Sequence, residues 1–218
     1  MNVVYQNGDA DLATVYVGEL EDGSRVEFVE SVQPPVPRIK KWVLIISTLK
    51  GCPVNCPMCD AGGSYSGRLS ADELFAQLDH LILRRYPDRH IPVEKLKVQF
   101  ARMGDPAFNN AVLSVLESFP ERYDAPGFLP SISTIAPKNS GPWLERLRTI
   151  KENRYGHGRF QLQFSLHTTR FEARRRLVPI ETLTFEEMAR FGERFHAPGD
   201  QKITLNFAAV KGFPLEPA

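Results

Sequence analysis

Cys52, Cys56 and Cys59 are the only thiols in a chain of 218 residues. They sit together in Gly51-Cys52-Pro53-Val54-Asn55-Cys56-Pro57-Met58-Cys59-Asp60-Ala61-Gly62-Gly63, a C-x3-C-x2-C spacing. Three thiolates on one short loop can converge on a single metal centre. A cubane iron–sulfur cluster normally takes four cysteines. With three, one iron is left for an external ligand, so the motif predicts a 4Fe-4S centre that binds something. The alternative is zinc, but a structural zinc site closes with four Cys or His ligands. The nearest histidine in sequence, His80, falls inside a predicted helix. An odd number of clustered cysteines argues against a disulfide framework and for a reducing, cytoplasmic setting.

The loop must be held by the elements on either side of it. A run of β-type residues, Val43 to Leu49, leads in. A helix follows from Ser70-Ala71-Asp72-Glu73, a capping box with Leu69 and Leu74 placed as a staple, and Leu74, Leu78, Leu81 and Ile82 recur at helical spacing. Further strands are predicted over Lys95 to Ala101, Phe128 to Ile135, Phe160 to His167 and Lys202 to Val210. Between them helices are predicted over Asn109 to Phe119, after Ser140-Gly141-Pro142, and from a second capping box at Thr184-Phe185-Glu186-Glu187, stapled by Leu183 and Met188. Ahead of this, Ala13 to Val17 and Arg25 to Val29 read as a small β-hairpin, and Gln33 to Pro37 as a proline-stiffened linker. The expected domains are therefore residues 1–40, hairpin appendage and linker, and 41–218, the main βα unit.

Regular β–α alternation predicts a parallel sheet with crossover helices. In the strands, apolar and polar residues alternate strictly. Phe160, Leu162, Phe164 and Leu166 oppose Gln161, Gln163, Ser165 and His167. Leu96, Val98 and Phe100 oppose Lys97 and Gln99, and Ile203, Leu205 and Phe207 oppose Thr204 and Asn206. Buried polar groups need partners, so the polar faces must line a hydrated or ligand-filled interior. An α/β fold in the form of a partial parallel (βα) barrel satisfies this; a sheet with one solvent-exposed face is the alternative.

Composition excludes little else. Net charge is +1, from 27 basic and 26 acidic residues, so no global electrostatic footprint for nucleic acid exists. No apolar run approaches the roughly 18 residues of a membrane helix, and the first residues lack the pattern of a signal peptide; no membrane partner is expected. Arg84-Arg85 and Arg174-Arg175-Arg176 are local basic runs that could touch phosphates, or be solvated helix faces.

C-x3-C-x2-C after a first strand resembles the signature of radical SAM enzymes. That resemblance implies cluster ligation by Cys52, Cys56 and Cys59. It also implies S-adenosylmethionine as the external ligand, and an electron donor such as flavodoxin or ferredoxin. Met103-Gly104-Asp105-Pro106 resembles the family's Gly-Glu segment, which receives the methionine amino group. Together with Ser133-Thr134, Ser165-Leu166-His167 and Leu177-Val178-Pro179-Ile180, it is most similar to one branch, the methyltransferases acting on C2 or C8 of a ribosomal RNA adenine. By this resemblance Gly104, Asp105, Ser133, Ser165 and His167 bind S-adenosylmethionine, with Asn206 counted among them. Glu27, in the hairpin, matches the setting of a family glutamate proposed as a proton acceptor. Gly104, Asp105, Ser133, Ser165 and His167 lie at the C-terminal ends of predicted strands, where α/β barrels place their sites.

The branch also uses a methyl-carrying cysteine near its C-terminus and a resolving cysteine seven residues before the cluster. That position is Ile45 here, and no cysteine lies outside the cluster loop. A radical SAM barrel has six βα units, whereas five are predicted, so the last βα unit or units are expected to be missing. Three functions remain open: a radical enzyme acting on an unidentified substrate, an RNA adenine methyltransferase, and a non-catalytic cofactor-binding module.

Overall fold

Alternating side chains build one eight-stranded sheet, and the strands place the cysteine loop at its edge of loops. A computed structural model of the chain describes residues 1–209 and 211. Strands β1 (Asn2–Asp9), β2 (Ala13–Glu19) and β3 (Arg25–Ser31) form an antiparallel meander. Strand β4 (Trp42–Ile46) pairs antiparallel with β3, through Val29–Ile45, Glu30–Leu44 and Ser31–Val43. A short hairpin, β5 (Leu49–Lys50) with β6 (Gly67–Arg68), brackets the cysteines. Next come α1 (Ala71–Leu83), β7 (Leu96–Phe100), a 3-10 turn at Pro106–Phe108, α2 (Asn110–Arg122), β8 (Phe128–Thr134) and α3 (Gly141–Arg154). The described part closes with β9 (Gln161–Ser165), α4 (Phe171–Leu177), α5 (Phe185–Phe195) and β10 (Thr204–Asn206). The sheet order is β1-β2-β3-β4-β7-β8-β9-β10, parallel from β4 onward.

Both capping boxes form: Ser70 with Glu73 starts α1, and Thr184 with Glu187 starts α5. The N-terminal piece differs from the expected two-strand hairpin. Asn2–Asp9, mostly exposed and without apolar alternation, adds a third strand. The meander is hydrogen-bonded into the main sheet, and its Tyr16, Val26 and Phe28 enter the same apolar cluster as Trp42 and Leu44. Helix α4 was not foreseen. The fifth parallel strand was expected over Lys202 to Val210 and is limited to Thr204–Asn206; Val210 lies outside the described residues.

The two faces of the sheet separate as the alternation requires. Trp42, Leu44, Ile46, Leu96, Val98, Phe100, Ile132, Leu162 and Phe164 are buried in one apolar cluster with the helices, each large side chain worth about 1.5–3 kcal/mol of burial. Cross-strand register puts Val29, Ile45, Gln99, Ser131 and Gln161 in one row of the other face. On that face Val29, Val43 and Leu129 are also buried, yet they belong to neither apolar cluster. The sheet therefore curls over its own polar side, consistent with a partial barrel. Side chains there bond to one another: Gln163 Nε2 donates to Ser131 Oγ at 2.7 Å, and Gln161 Nε2 to Thr204 Oγ1 at 3.1 Å. Among the described residues no helix is long and apolar enough to cross a membrane.

Candidate active site

Leaving β4, the chain is stitched to the loop after β7: Thr48 N and Leu49 N both donate to Met103 O, at 2.8 and 3.1 Å. The cysteine loop then folds on itself. Cys59 N donates to Cys56 O at 3.0 Å, and Gly63 N to Asn55 Oδ1 at 2.6 Å. Gly51 has φ +76° and a Cβ there would lie 2.5 Å from Ser64 O, so the turn into Cys52 needs glycine. Beneath the loop, Val54, Ile135, Leu177 and Val178 form a separate apolar cluster, against which Cys52, Cys56 and Met58 pack.

That setting decides the state of the thiols. Burial pushes the Cys56 thiol up to about 11, with the nearby Cys52 and Cys59 adding to the rise, and burial likewise raises Cys52. The part-buried Cys52 and Cys56 sulfurs sit in a poor place for free thiolates and a good one for a cationic centre, whose binding would release their protons. Among the described residues no three His, Cys, Asp or Glu side chains gather around one point to hold a single metal ion.

The pocket itself, about 250 Å³, is lined by all three cysteines together with Gly104, Asp105, Ser133, Ser165 and His167. Gly104 has φ +83°, and a Cβ on it would run into the Leu49 side chain. Asp105 is buried and its carboxylate is committed to its own chain. It accepts from Thr134 Oγ1 at 2.8 Å, Ala107 N at 2.9 Å and Ile135 N at 2.6 Å. It thereby clamps the turn after β7 to the end of β8. Burial pushes its pKa up to about 6 against the pull of these donors.

Ser133 and Ser165, neighbours across β8 and β9, have their hydroxyls 3.2 Å apart. Asn206 stands behind the pocket, donating from Nδ2 to Ser133 Oγ at 3.3 Å and to Gln163 Oε1 at 3.2 Å. His167 adopts φ +66°, and its Nδ1 accepts from Ala208 N at 3.3 Å. Burial first, then the Arg174 cation, lowers the His167 pKa, which favours the neutral ring. Glu27 is outside this pocket. It lines an adjoining cleft of about 400 Å³ that shares Met58, Cys59, Ala61 and Arg102 with it. There Arg102 donates to Glu27 Oε2 at 2.5 Å, and Glu27 N donates to Met103 Sδ at 3.3 Å.

The basic runs correct a sequence expectation. Arg174 is not on a phosphate-facing surface: it is buried and donates to the carbonyls of Ile135, Ser165 and Leu166 at 2.7, 2.8 and 3.1 Å, and to Thr182 Oγ1. Arg174 thus ties the ends of β8 and β9 around the pocket. Its signal in the sequence was its place three residues before Leu177, on the buried side of α4. Arg85 pairs with Glu30 at 3.0 Å and Arg84 donates to Tyr16 Oη at 3.1 Å, so both hold the meander. Sequence reading quoted Thr134 only as part of a motif and missed Ile135, the two whose donors fix Asp105, and Arg102.

No known family profile matches the chain. It is 31% identical over 169 residues to the dual-specificity RNA methyltransferase RlmN of Halorhodospira halophila, covering 76% of this chain and 42% of that one. It is 27% identical over 206 residues to the probable RlmN of Thermus thermophilus, 93% of this chain and 54% of that one. The chain spans about half the length of the curated relatives it matches. Its fold superposes on a radical SAM methyltransferase from Sphaerobacter thermophilus with a TM-score of 0.75 at 20% identity, over 97% of this chain and 59% of that one. The cysteine loop, the strand-end pocket and these likenesses together support the radical SAM superfamily. Within it, the chain is most similar to the RlmN-like branch.

Proposed function

We propose that Cys52, Cys56 and Cys59 hold a 4Fe-4S cluster and that the adjoining pocket binds S-adenosylmethionine, making the chain a radical enzyme. A cluster held by these cysteines would supply the electron for reductive cleavage of S-adenosylmethionine bound in that pocket. What carries the reading is the single pocket that unites the three cysteines with the ends of three parallel strands. Gly104 allows close backbone approach, the Ser133 and Ser165 hydroxyls offer donors and acceptors, and neutral His167 adds an uncharged polar wall. Asp105 and Arg174 position these groups rather than meeting the ligand. Exposed Cys59 opens toward the surface, where a flavodoxin or ferredoxin could deliver the electron.

The substrate has two readings. The relatives named RNA methyltransferases favour methylation of an RNA adenine. Against it, Ile45 lies on the polar face between Val29 and Gln99 and offers no thiol where the branch has its resolving cysteine. That favours radical chemistry on another substrate. Anaerobic reconstitution with iron and sulfide, followed by dithionite and S-adenosylmethionine, should yield 5′-deoxyadenosine. A chain that binds S-adenosylmethionine without forming this product would be a non-catalytic module. Transfer of a labelled methyl group to ribosomal RNA would decide for the adenine.

A further inference from the structure

Lys97 sits on the polar face of β7, at the far end of the strand from the cysteine loop. Its neighbours in the cross-strand row are Val43 of β4 and Leu129 of β8, and beyond Val43 stands Ser31 of β3. The next row up, toward the pocket, is Val29, Ile45, Gln99, Ser131 and Gln161. Neither row contains an acid. Lys97 is part-buried, and among the described residues its ammonium has no hydrogen bond or ion pair. The charged groups that act on it are Lys41 and Lys95, both of its own sign. Nearby Glu94 is committed to Lys40. Burial, with those two lysines adding to it, lowers its pKa. A half-buried cation facing only like charge destabilises the free chain and is stabilised when an anion joins it.

Gln99, one step toward the pocket on the same face, also has no side-chain partner among the described residues. Beyond it, the Ser131–Gln163–Asn206–Ser133 hydrogen bonds lead to Ser165 in the cysteine pocket. The four residue steps from Lys97 to Ala101, which lines that pocket, span about 13 Å.

We propose that Lys97, with Gln99 beside it, anchors an oxyanion, so that the substrate is an extended anionic molecule lying along the polar face with its reacting end at the cysteine pocket. Only the placing of the reacting end rests on the proposed radical chemistry; the oxyanion site stands apart from it.

The test is titration of the full chain, its lysines carrying ¹³C at Cε, with inorganic phosphate in one arm and succinate in the other. The Lys97 resonance is assigned by its loss in Lys97→Met. Saturable shifts of that resonance are expected with at least one anion, the arm showing whether phosphate or carboxylate is preferred. Calorimetric affinity should fall at least tenfold in Lys97→Met, persist in Lys97→Arg and be unchanged in Lys40→Met. Without anion, Lys97→Met should melt a few degrees higher than wild type, whereas the preferred anion should raise the melting temperature of wild type alone. Absence of saturable binding to either anion, equal affinity in Lys97→Met, or a lower melting temperature for that variant would overturn the proposal. None of these readouts uses the cluster. Failure to form 5′-deoxyadenosine with anion binding intact would therefore sink the radical reading and leave the site standing.

Discussion

Arg174 and Lys97 are cations, one buried and one half-buried, at opposite ends of the parallel sheet, and the chain treats them in opposite ways. Arg174 is enclosed by three carbonyls and a hydroxyl at the strand ends. Lys97 stands between Val43 and Leu129 with none. A buried charge whose donors are all met is part of the frame. One left unmet on a polar face has a use outside the chain's own stability, and the strand-end collar and the strand floor divide between these two cases.

The largest expected effect tests the collar. Arg174→Met leaves several carbonyls without donors and should cost about 3–5 kcal/mol, read from urea unfolding. A loss below about 1 kcal/mol would mean that the collar relaxes and the contrast with Lys97 is empty. Next, Asp105→Ala should cost about 2–3 kcal/mol by releasing Ile135 N, Ala107 N and the Thr134 hydroxyl, with Asp105→Asn recovering part of it. S-adenosylmethionine affinity should fall in step with stability if Asp105 acts as a clamp; a fall in affinity with stability intact would make it a ligand contact instead.

Gly104→Ala should cost about 1–3 kcal/mol, because it places a Cβ at φ +83° against Leu49. Thermal melting checks this, and in a Leu49→Ala background, itself destabilised by the lost core side chain, the added cost of Gly104→Ala should shrink to the backbone strain alone. The smallest effect concerns the floor. The folded pKa of Lys97 lies below its ordinary value of 10.5, so in that window the unfolded chain holds the proton more tightly. Wild-type stability contributed by this group should therefore rise with pH as the folded ammonium deprotonates, up to the unfolded value. The advantage of Lys97→Met, about 1 kcal/mol or less at neutral pH, should shrink over the same range. Urea midpoints of the two proteins between neutral and alkaline pH give the comparison.

Much of this frame was legible beforehand because it is local. Ser70 with Glu73 and Thr184 with Glu187 announce their helices by side chains three residues apart. Period-two alternation in Leu96–Phe100 and Gln161–Ser165 assigns the two faces of the sheet. The pocket residues Gly104, Ser133, Ser165 and His167 were found through likeness to known motifs, and the fold does bring them to the cysteines. Arg174 was misread because Arg174-Arg175-Arg176 looks the same whether a helix turns it outward or inward. Only the docking of α4 on the strand ends distinguishes Arg174 from its two exposed neighbours. The meander was underestimated for a similar reason: Met1 to Asp9 has no apolar period, and its strand exists because β2 offers an edge.

By itself, then, the sequence determined the three-thiol loop, the β–α alternation and the division of each strand into an apolar and a polar side, since these depend on spacing along the chain. Tertiary structure decided which charges are satisfied. Whether Asp105 meets Thr134 and Ile135, whether Arg174 meets three carbonyls, and whether Lys97 meets no acid all depend on residues distant in sequence. Hydrogen bonding and desolvation act between neighbours in space, and only folding makes them neighbours.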